Sequence, residues 1–199
     1  MQKKWGDSLL RLFHGSNMEI EQVDLTKCMP NKDFGCGFYT TVLEEQAWRM
    51  AERRTRIAGG RPVVTVYEVP DNLEEIRELR VRVFEEKPTI EWAIFIRNNR
   101  DRKFTDYENS ECNLDCKYDV VVGPVADDTV GLLIRQFSRG TIDAEYMKRE
   151  FDFGRLTNQY TFHTEKALRY LKKRRQSTHL DSTREICQCS WKTHGNKNL

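Results

Sequence analysis

The chain has 199 residues, enough to bury a core without disulfide or metal staples. Its 33 Lys and Arg nearly balance 31 Asp and Glu, a net charge of +2, which excludes a uniformly basic nucleic-acid coat but not a local basic groove. No run approaches the roughly 20 apolar residues of a membrane span, and the polar opening Met1–Asp7 is unlike a secretory signal, so a cytoplasmic, reducing setting with free thiols is expected.

Leu9–His14 is a short apolar run that stops at Gly15-Ser16-Asn17, so it reads as a buried strand delivering His14 to a turn. A loop follows to Asn31. Asp33-Phe34-Gly35-Cys36-Gly37 then feeds a short strand, Phe38-Tyr39-Thr40-Thr41, with two glycines where the backbone needs freedom or close approach. Leu43 to Ile57 carries apolar residues at helical spacing and ends at Gly59-Gly60. Pro62–Val69 is rich in β-branched residues and reads as a central strand. Leu79–Phe84 alternates apolar and basic residues, as a half-exposed strand does.

Thr89 can cap a helix reaching Arg100, with Trp92 and Phe95 as core residues. Asp101–Lys117 is a polar loop, and Tyr118–Val125 is a buried strand closed by Gly123-Pro124. Helices are expected at Asp128–Ser138 and Asp143–Phe151, with Asp119, Asp127 and Asp128 as turn and cap residues. Asn158–Phe162 is a strand, and Thr164–Lys173 a helix capped by Thr164. Arg53, Arg54 and Arg56 read as a solvated helix face, Glu165 as a first-turn carboxylate, and His163 as a junction residue. One domain, 1–173, is therefore expected, followed by a polar and mostly mobile tail, 174–199. Cys187 and Cys189 in that tail lack zinc spacing, so no metal is expected. Strands and helices alternate without regular βαβ order, which argues for an α+β fold.

Five phrases together are similar to the ADP-ribosyltransferase superfamily: Leu12–Ser16, Asp33–Thr41, Glu91-Trp92 with Phe95-Ile96, Tyr118–Asp128 and Gln159–Leu168. They resemble the branch whose three signature positions hold His, Tyr and then Glu, Asp or Gln, and within it a bacterial family without assigned function. The resemblance implies a split, bent β-sandwich with flanking helices and a central NAD cleft. It implies catalytic roles for His14, Tyr39 and Gln159, and cofactor contacts from His14, Gly15, Ser16, Phe38, Tyr39, Thr40 and Gln159. His14 would bond ribose hydroxyls, Gly15 would let the carboxamide of nicotinamide approach, and Tyr39 would stack on its ring.

The activity so implied is mono-ADP-ribosyl transfer from NAD to a macromolecule, protein or nucleic acid. Toxin–antitoxin or phage-defence context, with a small neutralising antitoxin as partner, comes from the resemblance too. NAD hydrolysis and a non-catalytic NAD or ADP-ribose binding module are the alternatives. Gln159 cannot take a proton near neutral pH, so Asp33 and Glu165 are candidate helpers, although loop and cap roles explain both. On sequence grounds Gln159→Glu is expected to keep or raise NAD hydrolysis.

Overall fold

In the computed structural model, residues 8–151 and 156–177 are described. The Met1–Asp7 opening, most of the tail and its Cys187 and Cys189 lie outside them. Among the described residues, seven strands form one mixed sheet: β1 (Leu9–Ser16), β2 (Phe38–Thr41), β3 (Val63–Pro70), β4 (Val81–Val83), β5 (Val120–Pro124), β6 (Asn158–Phe162) and β7 (Lys172–Ser177). Within the same described residues five α-helices accompany them: α1 (Glu44–Ala58), α2 (Ile90–Arg100), α3 (Asp128–Ser138), α4 (Ala144–Phe151) and α5 (Glu165–Leu168). The expected α+β class is therefore observed. Among the described residues, no helix is long and apolar enough to cross a membrane.

The spatial order is β4-β5-β6-β2-β1-β3-β7. All neighbours are antiparallel except β4 and β5, and that parallel pair has α2 in the long connection it requires. The joints differ in extent. β1 pairs with β3 over eight residues, from Leu9 opposite Pro70 to Ser16 opposite Val63. It meets β2 only at Phe13 opposite Thr41. The sheet is nearly parted there into a β7-β3-β1 half and a β2-β6-β5-β4 half.

The helical cover divides along the same line. Phe13, Val64 and Val66 pack under Ala47, Trp48 and Ala51 of α1. Phe34, Phe84 and Val121 pack with Trp92, Phe95 and Ile96 of α2, Val130 and Ile134 of α3, and Met147 and Phe151 of α4. The register carries Phe13, Thr41 and Val121 to one face, so both sets of helices lie on it. The other face buries Leu12, Phe38, Tyr67, Val69, Val120, Val122 and Phe162 beneath Ile20, Val23, Leu25 and the α5 region. Coverage on both faces explains why β3 and β5 are near-continuous apolar runs.

The helix ends follow local chemistry. Thr89 accepts from the Trp92 amide, Asp127 from the Val130 amide and Thr164 from the Ala167 amide. The expected helix from Thr164 to Lys173 stops at Leu168, and Lys172–Ser177 instead pairs with the edge of β3. The strand runs through the expected boundary after Lys173. Glu68 meets Arg174 at 2.6 Å, while Glu19 and Glu21 each meet Lys173 at 3.6 Å, so a basic run that sequence alone assigns to a helix end is held as a strand by acidic partners far away in sequence.

Candidate active site

His14 lies on β1 just past the single bridge to β2, where the strands diverge. Its Nδ1 is 2.7 Å from the backbone carbonyl of Tyr39. A carbonyl only accepts, so Nδ1 carries the proton and Nε2 of the neutral ring is left as an acceptor. Burial, partly countered by the Tyr39 carbonyl and reinforced by the nearby charge of Arg54, lowers the ring's pKa to about 4. The imidazole is therefore neutral near pH 7, and its plane stacks on Phe38 at 4.2 Å.

Tyr39 sits on the opposite pleat of β2, against the α2–α4 cluster. Its hydroxyl accepts from the Phe34 amide at 2.9 Å and donates to the Gly35 carbonyl at 2.8 Å. Both capacities are spent within the loop that precedes β2. Burial, then the charge of Asp33, keeps the phenol protonated well above its usual range. Only the ring remains for a ligand.

Gln159 is opposite Thr41 on β2 and Gly123 on β5, and is buried. Its Nε2 faces Asp33 Oδ2 at 3.3 Å and the Pro124 carbonyl at 3.4 Å. Both are acceptors, which fixes the amide nitrogen toward them; no described residue donates to Oε1. Asp33 is itself gripped through Oδ1 by Arg100 Nε at 3.0 Å and Nη2 at 2.7 Å. Loop, β6 and the end of α2 thus form one polar chain, Arg100–Asp33–Gln159.

The strands carrying His14, Tyr39 and Gln159 are adjacent, in the order β1, β2, β6. Tyr39 and Gln159 share a face through the register, whereas the pleat turns His14 to the other face, where it reaches the edge of β2 at the parting. Gly15 has a packing reason of its own: a Cβ there would stand 1.9 Å from the Ala47 carbonyl oxygen of α1. Ser16 pairs with Val63 at the end of β1.

Phe38 and Thr40 stand on the same face of the sheet as His14. Phe38 is in the core opposite the helices, and the Thr40 hydroxyl donates to the Tyr160 carbonyl. Strand alternation puts both on the side away from Tyr39. His163 is the junction residue expected, with Nδ1 donating to the Cys36 carbonyl at 2.7 Å and burial lowering its pKa to about 4. Asp119 does more than turn the chain: it accepts from the Arg80 amide and the Thr164 hydroxyl and pairs with Lys166. Arg100 and Gln46 were not singled out by sequence. Gln46 Oε1 takes the Thr41 hydroxyl at 2.5 Å, while Arg100 reads locally as one more cation in a last helical turn.

A family model described as "Protein of unknown function (DUF3990)" matches residues 10–173, the larger part of the chain. The chain belongs to the DUF3990 family. The match runs from β1 into β7 and so takes in every residue of the polar chain above. No curated protein and no solved structure matches this DUF3990 chain.

Proposed function

We propose that the protein is an NAD-dependent mono-ADP-ribosyltransferase with an ADP-ribosyltransferase-like split sheet, its cleft opening where β1 leaves β2. The observation that carries this reading is the polarity of the unspent groups. His14 Nε2 and Gln159 Oε1 are both acceptors, because Nδ1 and Nε2 respectively are committed to protein acceptors. Acceptors left open on either side of the β1–β2 parting are answered by a ligand that presents hydroxyls, and the ribose of NAD does so. The single β1–β2 bridge and the divided helical cover support a cleft at that line.

In this reading the glycosidic bond between nicotinamide and ribose breaks, and its electron pair leaves with nicotinamide. A nucleophilic atom of the macromolecular acceptor bonds the anomeric carbon. The transition state resembles an oxocarbenium ion. His14 and Gln159 hold ribose hydroxyls, and the Tyr39 ring packs against nicotinamide. Neither His14, with a pKa of about 4, nor Gln159 is an effective base at pH 7. That favours an acceptor nucleophilic without proton removal; the same observation keeps a non-catalytic binding module as the second reading. A toxin-like role with a neutralising partner completes the proposal and rests on resemblance alone.

The test is incubation of NAD labelled on its adenylate side with cell extract and the protein. Label on protein or nucleic acid supports transfer; free ADP-ribose indicates hydrolysis; binding without turnover indicates the module. His14→Ala and Tyr39→Ala are each expected to lower turnover about 100-fold or more with the fold retained. Full activity in both variants removes the site assignment.

A further inference from the structure

Resting on that reading, we propose that Asp33 is the positioning residue of the site: anchored by Arg100, it turns Gln159 so that the carboxamide oxygen is offered to a ligand hydroxyl. Arg100 occupies Asp33 Oδ1 with two donors, from Nε at 3.0 Å and Nη2 at 2.7 Å, and Nη2 also lies 3.5 Å from the Ala126 carbonyl. Oδ2 is left to face Gln159 Nε2 at 3.3 Å. The Pro124 carbonyl, 3.4 Å from the same nitrogen, acts in the same sense. An amide has one donor end and one acceptor end, so two acceptors on its nitrogen decide which end is presented.

The negative charge of the site therefore stands on the loop, and the amide stands on β6. This reverses the expectation for Gln159→Glu. The introduced carboxylate would face that of Asp33 across a gap that is now a 3.3 Å hydrogen bond, with Arg100 already committed to one of them. Asp33→Asn acts differently. The new amide keeps its oxygen on Arg100 and points its nitrogen at Gln159, which must turn over to accept it, spending the oxygen meant for the ligand. The double variant Asp33→Asn/Gln159→Glu restores complementarity between the loop and β6, and only the Pro124 carbonyl, 3.4 Å from the replaced nitrogen, loses its donor. The amide introduced on the loop would donate to the carboxylate introduced on β6, net charge would be unchanged, and that carboxylate would keep an oxygen free.

NAD turnover and thermal unfolding of the four proteins test this. Each single variant is expected to lose turnover about tenfold or more, with kcat affected beyond KM. The double variant is expected within about threefold of the parent. Gln159→Glu should lower Tm by about 5 °C, recovered when Asp33→Asn is added. Parent-level turnover in Asp33→Asn, or a double variant no better than the singles, overturns the proposal. If the parent neither binds nor turns over NAD, the co-substrate reading falls and Tm decides the pair. Recovery of Tm in the double variant then upholds the coupling, and additive losses overturn it.

Discussion

The two halves of the sheet are held to their covers by different means. The β7-β3-β1 half meets α1 through apolar side chains and one backbone-to-backbone approach, Gly15 against Ala47. The β2-β6-β5-β4 half has an apolar layer too, but the loop leading into β2 is tied down by polar bonds. Tyr39 closes on Phe34 and Gly35, His163 on Cys36, and Asp33 on Arg100 and Gln159. Packing sets a distance between elements, whereas hydrogen bonds set which way each group points. Tyr39 and Gln159 stand on the half ordered by hydrogen bonds, and His14 stands at the edge of the other.

The sharpest way to break this comparison is at two glycines. A Cβ on Gly15 meets backbone, with Ala47 O at 1.9 Å and Ala51 N at 2.9 Å, so α1 as a whole must move. A Cβ on Gly37 meets side chains, His163 Nδ1 at 2.6 Å and Thr161 Cγ2 at 2.8 Å. Gly15→Ala should cost about 3 kcal/mol, near 10 °C in Tm, and Gly37→Ala about 1–2 kcal/mol. Equal losses in chemical denaturation would erase the distinction. An effect of similar size is expected from Tyr39→Phe, which leaves the Phe34 amide and the Gly35 carbonyl without their partner at about 1–2 kcal/mol. Hydrogen exchange at Phe34 should then quicken while the amides of β3 stay protected; unchanged exchange would mean that the hydroxyl does not hold the loop.

The last test concerns pH and is read as a slope. His163 titrates near 4 in the fold against 6.5 in its absence, so the unfolded chain binds the proton more readily. Its contribution, on the order of 3 kcal/mol, is complete above about 6.5 and is lost as pH falls toward 4. His14 adds a limb of the same sign. His163→Asn retains a donor for Cys36 but cannot be protonated, so stability measured from pH 7 to 4.5 should decline less steeply. An unchanged slope would place the acid sensitivity elsewhere.

Much of the fold was legible because it is written locally. Thr89, Asp127 and Thr164 announce helix starts through their own side-chain oxygens, and the apolar runs of β1, β3 and β5 announce burial. β7 was not legible: Lys172–Arg175 has no periodicity of its own, and it is a strand because β3 has an open edge with Glu68 beside it. The candidate site divides in the same way. His14, Tyr39 and Gln159 could be named from short phrases, but which of them share a face needed the pleat and the register.

Sequence by itself determined which segments are strands or helices over most of the chain, and which polar residues stand beside them, because propensity, capping and periodicity act within a few residues. Tertiary structure alone decided how those residues are charged and aimed. The tautomer of His14 depends on a carbonyl 25 positions away, and the orientation of Gln159 on a carboxylate 126 positions away. That carboxylate is held by an arginine 67 positions further along from it. Hydrogen-bond direction is a property of the pair, and only folding brings these pairs together.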